Sequence, residues 1–494
     1  MKKLTGIILV ICMLLSVVSF ASCSAPSGMN NSAMDSGGNF GGSGENGSLV
    51  DGSGESGSLD GGSGAPGYDS GEESPKPMLP NKGESISPDY SDGVTGDMGG
   101  DYDMPEDSGD MDDGMEPGEG GEGETTTPEQ VVLPSGMMTA GAWNDNDYYK
   151  AWLDLFIQGE AENGKFYNYT NPDYSWGFDS LSRVKVSVTN GDNAVSGATV
   201  TAFDAQSNEL FTAVTDAAGN AYLFVDEAEG YVSVNSGEST ASANFSAENR
   251  ELSISLDSND EKLNVIEIML VVDVTGSMGD EIYFLKAELA DVINRIAAND
   301  SETVIKLAML FYRDNEDKVP FDYYDFTNVT NPDGLAKQQA ALNNQGAKGG
   351  GDYPEAVDQA LEMAVNKQWS TGNTTKIIFH VLDAPAHEGD EYANRLVNAT
   401  KTAAEKGIRI CPILCSGAAE ATEYTMREAA IYTGGTFIFV TDDSGIGGSH
   451  HDPGLPNATI ELLNSLMVRL VKGYHTGTFD EPIYWKQDPN LNNQ

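Results

Sequence analysis

Apolar and polar positions in the second half of the chain follow two alternating patterns. Residues 265–272 form an almost continuous apolar run, typical of a strand buried on both faces of a sheet. Apolar residues then recur at helical spacing from Ile282 to Ile296. The alternation predicts an α/β fold over residues 263–475, with a doubly wound, mostly parallel sheet, followed by a C-terminal tail at 476–494. Further strands are predicted at 305–312, 376–382, 408–414 and 436–440, an antiparallel edge strand at 319–326, and helices at 354–368, 391–406, 422–432 and 460–471.

Residues 181–260 have a different rhythm, with short alternating runs separated by turn signals such as Asn190-Gly191. This spacing predicts a small all-β sandwich of about seven strands. The stretches 195–200 (VSGATV) and 215–221 (TDAAGNA) resemble carboxypeptidase-regulatory-like domains. That resemblance implies a structural or binding module without catalytic activity.

An aromatic-rich segment, residues 136–180, precedes the β module. Its rings include Trp143, Tyr148, Tyr149, Trp152 and Trp176. The pattern favours packing of the segment onto the sandwich. A platform on which carbohydrate stacks is the alternative.

The first residues have the pattern of an export signal, predicted at 1–22. Lys2 and Lys3 precede an apolar run at 7–18 that is too short to span a bilayer. Residues 20–23 (FASC) resemble a bacterial lipobox. The resemblance implies that Cys23 carries lipid and anchors an extracytoplasmic, surface-exposed protein to the bacterial cell membrane. A soluble secreted protein is the alternative.

Composition separates residues 23–135 from the rest of the chain. Residues 24–135 contain 26 of the 56 glycines and 24 of the 77 acidic residues, but only two lysines. Such a segment cannot bury enough apolar surface to fold, so we predict a disordered, acidic, Gly/Ser-rich tether. The net charge of the 494-residue chain is −50, which argues against binding to nucleic acid or to anionic lipid.

Acidic residues follow the predicted strands of the α/β region, where Asp273, Asp314, Asp383 and Asp442 each come at a strand end. The carboxyl ends of strands form the ligand crevice of an open α/β sheet. Carboxylates gathered there repel one another unless a cation neutralises them. The sequence therefore predicts a divalent cation at this edge.

The first of these strand ends has the sequence 273–277 (DVTGS), in which Asp273, Thr275 and Ser277 alternate with Val274 and Gly276. Carboxylate and hydroxyl oxygens suit Mg²⁺, with Mn²⁺ or Ca²⁺ as alternatives. The motif resembles the metal-ion-dependent adhesion site of von Willebrand factor A domains. Three further stretches strengthen the resemblance: 311–314 (FYRD), 349–356 (GGGDYPEA) and 382–387 (LDAPAH).

This resemblance implies a set of metal-site residues. Asp273, Thr275, Ser277 and Asp383 match the family's ligand positions, and Asp352 is assigned in place of the family's usual threonine. Helix capping is the alternative role for Asp352. We expect Asp314 and His387 to contact the metal ligands without contacting the cation itself. As alternatives, Asp314 could pair with Arg313, and His387 could have a structural role.

Together these features predict a binding protein rather than an enzyme. The resemblance implies that a partner's acidic side chain completes the coordination of the cation. The partner would be a protein ligand, or a component of the extracellular matrix or cell surface. No recognised catalytic motif occurs in the sequence. A scaffolding subunit of an envelope complex and a metal-dependent hydrolase are the alternatives.

Overall fold

A computed structural model describes residues 137–492, apart from 160–161, 173, 258–260, 280, 300–301 and 456. The predicted export signal, Cys23 and the tether lie outside the described residues, so their interpretation stays a prediction.

The α/β region is built on an eight-stranded sheet, which confirms the predicted mixed α/β fold with a large, mostly parallel sheet. Its strands lie in the order β12-β11-β10-β13-β14-β15-β1-β16. They comprise β1 (Thr139–Trp143), β10 (Val265–Asp273), β11 (Val304–Tyr312), β12 (Phe321–Asn328), β13 (Thr375–Leu382), β14 (Ile408–Leu414), β15 (Phe437–Thr441) and β16 (Glu461–Leu462). The five strands from β11 to β15 in this order are parallel, and β12 is the predicted antiparallel edge strand.

Strand β1 comes from the aromatic-rich segment that the sequence analysis placed ahead of the β module. It runs antiparallel between β15 and β16, with Thr139 opposite Thr441. A Cβ atom on Gly141 would lie only 2.3 Å from the ring of Phe439, so glycine is required where that ring crosses the strand. The α/β sheet therefore begins before residue 263, which corrects the predicted boundary.

Seven helices are described: α1 (Tyr149–Asp154), α2 (Ile282–Asn299), α3 (Pro332–Asn343), α4 (Val357–Val365), α5 (Asp390–Glu405), α6 (Glu420–Thr433) and α7 (Leu463–Thr476). Helices α2 and α7 cover one face of the large sheet, and α4, α5 and α6 contribute to the core on the other. Successive side chains of β10 divide between these faces, since Leu270 and Val272 lie in the first core and Met269 and Val271 in the second. Within the described residues, none of the helices has the length and apolar character needed to cross a membrane.

The region between the aromatic segment and β10 forms two four-stranded sheets. One contains β2 (Arg183–Asn190), β3 (Asn193–Ala194), β6 (Asn220–Phe224) and β9 (Glu251–Ser255). The other contains β4 (Thr199–Phe203), β5 (Glu209–Val214), β7 (Glu229–Ser236) and β8 (Ser239–Ser246). Their buried side chains belong to the same core as those of α5 and α6. For example, the ring of Phe224 stacks on that of Tyr432 in α6, with 4.7 Å between centroids.

The aromatic segment packs against β2, as the sequence pattern predicts, and also against α6. Arg183 of β2 donates to the backbone carbonyl of Asn146 at 2.7 Å and lies over the ring of Tyr149 at 3.9 Å. Trp152 and Phe166 are fully buried, and Phe166 contacts the ring of Tyr424 at a centroid distance of 5.4 Å. Arg427 of α6 binds the carboxylate of Asp145 at 2.5 and 2.9 Å, fixing the segment by charge as well as by apolar contact. The sequence pattern could not identify α6 as the partner because it lies nearly 300 residues away.

A buried acid in α2 gives the fold a pH dependence that can be measured. Glu288 accepts a hydrogen bond from the Met138 backbone at 2.8 Å, and burial raises its pKa to about 8. The folded protein therefore keeps a proton that the unfolded chain, with a pKa near 4.5, has already released. Stability must fall as pH rises through this window, by about 1.4 kcal/mol for each pH unit between the two pKa values.

We expect Glu288→Gln to flatten this fall, because glutamine has no proton to lose. Melting temperatures of wild type and variant should be compared at pH 5 and pH 9. The variant should lose fewer degrees over that interval, although the similarly buried Glu428 leaves part of the slope in both proteins. Parallel pH profiles would show that Glu288 does not titrate in this range.

Candidate metal site

The register of the parallel strands brings the predicted acids to one edge of the large sheet. Asp273 is the last residue of β10, where Val272 pairs with Val381 of β13 and Asp273 with Tyr312 of β11. Asp383 directly follows β13, and Asp314 lies two residues beyond the end of β11. All three acids are buried.

The loop after β10 turns its oxygens toward each other, as the alternating motif predicts. Oδ1 of Asp273 accepts hydrogen bonds from the backbone N–H of Thr275 at 2.9 Å and from its hydroxyl at 2.6 Å. The hydroxyls of Thr275 and Ser277 lie 3.1 Å apart. Thr275 is buried and Ser277 is exposed, so the three oxygens lead from the sheet edge to the surface.

A second loop, residues 348–356, packs directly on the first. The backbone N–H of Gly276 donates to the carbonyl of Gly349 at 3.1 Å, and that of Lys348 donates to Val274 at 3.0 Å. Gly350 has a φ of +77°, and a Cβ atom there would lie 2.7 Å from Oε1 of Glu355 and 3.3 Å from Cβ of Thr275. Glycine is thus required where the two loops meet.

Glu355, which is not among the residues that the sequence predicts for the site, is the acid that this second loop buries. Its exposed fraction is 3%, and its Oε2 has no hydrogen-bond partner among the described residues. Its backbone N–H donates to the carbonyl of Pro385 at 3.0 Å, which ties it to the loop of Asp383. Burial, followed by the negative charges of Asp273, Asp314 and Asp383, raises the pKa of Glu355 to about 9.

Asp352 lies elsewhere on the same loop, with its side chain exposed to solvent. Helix α4 begins at Val357 rather than near Pro354, and Ala356 occupies its N-cap position. The alternative role of Asp352 as the cap of that helix is therefore wrong. Its role as a ligand stays a prediction.

Asp314 and His387 form a pair beside the site. Nε2 of His387 lies 2.7 Å from Oδ1 of Asp314. Arg313 donates instead to the backbone carbonyl of Lys348 at 2.9 Å, so the predicted alternative pairing of Asp314 with Arg313 is not observed. The pair connects the ends of β11 and β13.

The electrostatics of Asp273 indicate that the site needs a positive charge. Burial, followed by the charge of Asp383, raises the pKa of Asp273 to about 7 despite the two hydrogen bonds from Thr275. Its Oδ2 is buried and has no hydrogen-bond partner in the described part of the chain. Buried carboxylate oxygens without donors, close to further carboxylates and to two hydroxyls, fit a hard divalent cation.

Clusters of three or more His, Cys, Asp or Glu side chains arranged to hold a metal ion are absent from the described ranges. The carboxylates at this edge, which lie beside the hydroxyls of Thr275 and Ser277, do not form such a cluster.

Residues 267–442 match the family model of the von Willebrand factor A domain, which covers nearly all of β10 to β15. A von Willebrand factor A (VWA) domain is present in this chain. Alpha-protein kinase vwkA of Dictyostelium discoideum is 25% identical over 134 residues, which are 26% of this chain and 19% of that protein. The chain thus spans about a fifth of the length of this relative.

Two solved structures are similar to parts of the chain. The conserved hypothetical protein BatB of Bacteroides thetaiotaomicron has 17% identity and a TM-score of 0.27, over 35% of this chain and 90% of BatB. The pilus adhesin SpaC of Lactobacillus rhamnosus GG, in its open conformation, has 12% identity and a TM-score of 0.31, over 51% of this chain and 34% of SpaC.

Proposed function

We propose that this protein is a binding protein of the cell surface, whose VWA domain captures a partner through a divalent cation. A VWA domain fits a protein-interaction role. The observation that carries the proposal is the buried Oδ2 of Asp273, which lacks a hydrogen-bond donor among the described residues and faces the charge of Asp383. A cation would neutralise these carboxylates. Burying a carboxylate without a counter-charge costs free energy of folding.

The residues that would hold Mg²⁺, or Mn²⁺ or Ca²⁺ in its place, are Asp273, Thr275, Ser277 and Asp383. The second loop would add a carboxylate, and burial beside Thr275 favours Glu355 over the exposed Asp352 for that position. A cation held by these residues would supply a positive charge that an oxygen ligand from outside could coordinate.

The surface around Ser277 is open to such a partner. Gly276, Ser277 and Tyr353 are exposed, and Tyr353 retains 45% of its accessible surface. The hydroxyl of Tyr353 lies 3.1 Å from the backbone carbonyl oxygens of both Asp383 and Gly417, and its single O–H is shared between these two acceptors, which holds the ring at the rim of the site. A protein or matrix component with an acidic side chain is the partner that this arrangement suits.

One observation favours the alternative of a metal-dependent hydrolase. The His387–Asp314 pair resembles a base held by a carboxylate, next to the candidate cation site. We nevertheless propose a site without catalytic turnover, because the sequence carries no recognised catalytic motif. Release of product from chromogenic ester or phosphodiester substrates in the presence of Mg²⁺ would favour the hydrolase.

The proposal is tested by capture from a cell-surface extract with the immobilised mature protein. A partner that coordinates the cation should bind in Mg²⁺, be released by chelator and bind again when Mg²⁺ is restored. Capture that is indifferent to chelator would favour the scaffolding alternative, in which the β module, with its resemblance to carboxypeptidase-regulatory-like domains, binds the partner.

The proposed lipid anchor at Cys23 makes a separate prediction. Cys23→Ser should move the protein from the membrane fraction to the medium, because the acyl chains would be its stable membrane contact. Immunoblots of fractionated cells measure the distribution. Retention of the variant in the membrane fraction would mean that lipidation of Cys23 does not anchor the protein.

A further inference from the structure

A second cleft lies at the opposite edge of the large sheet from the candidate metal site. It has a volume of about 420 Å³ and is bounded by the amino ends of β13 and β14, by the end of α7 and by loops of the two small sheets. Strand β13 separates the two places, since Thr375 begins it and Asp383 follows its end, about 25 Å away at 3.3 Å per residue. The cleft is therefore independent of the proposed function.

Basic residues dominate the charge of this cleft. Five basic and two acidic side chains line it: Lys262, Lys367, Lys376, Lys406 and Arg409, against Asp216 and Glu405. In the whole chain, acidic residues outnumber basic ones by 77 to 27. The local excess of positive charge thus runs against the composition of the protein. We call this site the basic cleft.

Three cations of the basic cleft, Lys262, Lys376 and Arg409, bind neutral backbone oxygens. Lys262 donates to the carbonyl of His475, and Lys376 donates to that of Lys406 at 3.1 Å. Arg409, which is 7% exposed, donates to the carbonyls of Thr433 at 2.6 Å and Val214 at 3.0 Å. None of Lys262, Lys376 and Arg409 forms an ion pair with a carboxylate in the described part of the chain.

These contacts use only some of the N–H donors of the three cations. An ammonium group has three N–H donors and a guanidinium has five, so one bond from each lysine and two from Arg409 do not use them all. The two bonds of Arg409 also fix its guanidinium between α6 and a small sheet. A ligand would thus meet a positive group that is already held in place, which reduces the entropy lost on binding.

The positive charges are close enough to oppose one another. Burial lowers the pKa of Lys262 to about 8; the charge of Asp216 raises it and that of Arg409 lowers it further. Burial also lowers the pKa of Lys376; Glu267 opposes this effect, while Arg409 and Lys406 add to it. An anion placed among these groups would relieve both the repulsion and part of the cost of burial.

We propose that the basic cleft binds a small anion with at least two negative charges, of the phosphate or dicarboxylate type. A volume of about 420 Å³ lies within the range of small-molecule sites. The competing interpretation is that the cations only cap helix ends, because Thr433 and His475 lie in the last turns of α6 and α7. That interpretation requires no ligand.

Calorimetric titration of the full-length protein with inorganic phosphate, and separately with malonate, tests the proposal at constant ionic strength. We expect saturable binding of at least one of these anions. Lys262→Met and Lys376→Met, which keep the aliphatic part of the side chain, should each weaken it by about tenfold or more, as expected for the loss of a charge-assisted hydrogen bond. Lys337→Met, at an exposed position of α3, should bind as the wild type does.

Melting temperatures without added anion check that each variant folds. If Lys376→Met does not fold, the test rests on Lys262→Met, whose position lies before β10. Absence of saturable binding to both anions in the wild type would overturn the proposal and leave helix capping as the role of these cations. Equal affinities in wild type and cleft variants would also overturn it, because the anion would then bind elsewhere. Binding of phosphate alone or malonate alone would support it and identify the preferred acid group.

Discussion

Asp273→Ala should abolish the stabilisation that Mg²⁺ gives to the wild-type protein. A ligand that binds only the folded state adds about 2.7 kcal/mol at 100 times its dissociation constant, which corresponds to a rise in melting temperature of about 5–10 °C for a domain of this size. Asp273 is the buried acid that accepts both hydrogen bonds from Thr275, whose hydroxyl in turn lies 3.1 Å from that of Ser277. Without its carboxylate we expect no rise, and no Mg²⁺-dependent capture of a partner.

Two kinds of variant make this result specific. Thr275→Ala should behave like Asp273→Ala, whereas Thr275→Ser keeps the hydroxyl and should retain the Mg²⁺ response. Asp333→Ala removes an exposed acid from the first turn of α3 and controls for general loss of negative charge. Residues 24–135 are the same in every variant, so the comparison removes any contribution of their acidic side chains to Mg²⁺ binding. A wild-type response in Asp273→Ala would show that the cation does not bind at this edge.

The sequence was sufficient to predict the large sheet because its central strands are strongly apolar. Residues 265–272 could be recognised as a strand buried on both faces, and in the structure they lie in β10 between β11 and β13. The register of these strands then brings Asp273 and Asp383 to the same edge, as expected for parallel strands whose acids follow their last apolar residues. The local apolar pattern and the geometry of parallel strands therefore explain why Asp273 and Asp383 lie at the same edge of the sheet.

Long-range pairing could not be predicted in the same way. Strand β1 has five residues, two of them small and one a glycine, and its partners begin at residues 437 and 461. Its place depends on the fit of Gly141 beneath Phe439, which no local pattern reveals. Helix α3 escaped prediction for a related reason, since few of its side chains are buried and it lacks a continuous apolar stripe.

The second loop shows why residue type and position alone did not select the buried acid. The resemblance to the family points to Asp352, which stands where the second loop of the family usually has a threonine. The positive φ angles of Gly349 and Gly350 turn the chain so that Asp352 faces solvent and Glu355 faces Thr275. Glu355 could have been considered from its place in the 349–356 stretch, but its burial depends on backbone conformation that only the structure supplies.

Glu355→Gln should therefore weaken Mg²⁺ binding by about tenfold or more, the usual loss when a carboxylate in or next to a metal shell is removed. Glutamine keeps the size of the side chain, so its packing beside Gly350 is preserved. Asp352→Asn is the matched change three residues earlier and should leave the affinity unaltered. Both affinities can be measured by calorimetric titration of Mg²⁺ into the full-length protein, with Asp273→Ala as the baseline.

The metal-free proteins provide a second readout for this pair. The raised pKa keeps Glu355 protonated and neutral in the metal-free protein at pH 7, so glutamine replaces it without a change of charge or size, and the melting temperature in chelator should equal that of the wild type. A loss of affinity in a protein that is no less stable cannot be attributed to damaged folding. If Asp352→Asn instead weakens Mg²⁺ binding and Glu355→Gln does not, the exposed acid is the ligand and the burial of Glu355 serves only to join the two loops. If neither affinity changes while Asp273→Ala abolishes binding, the second loop contributes no carboxylate, and the cation depends on the loops after β10 and β13 alone.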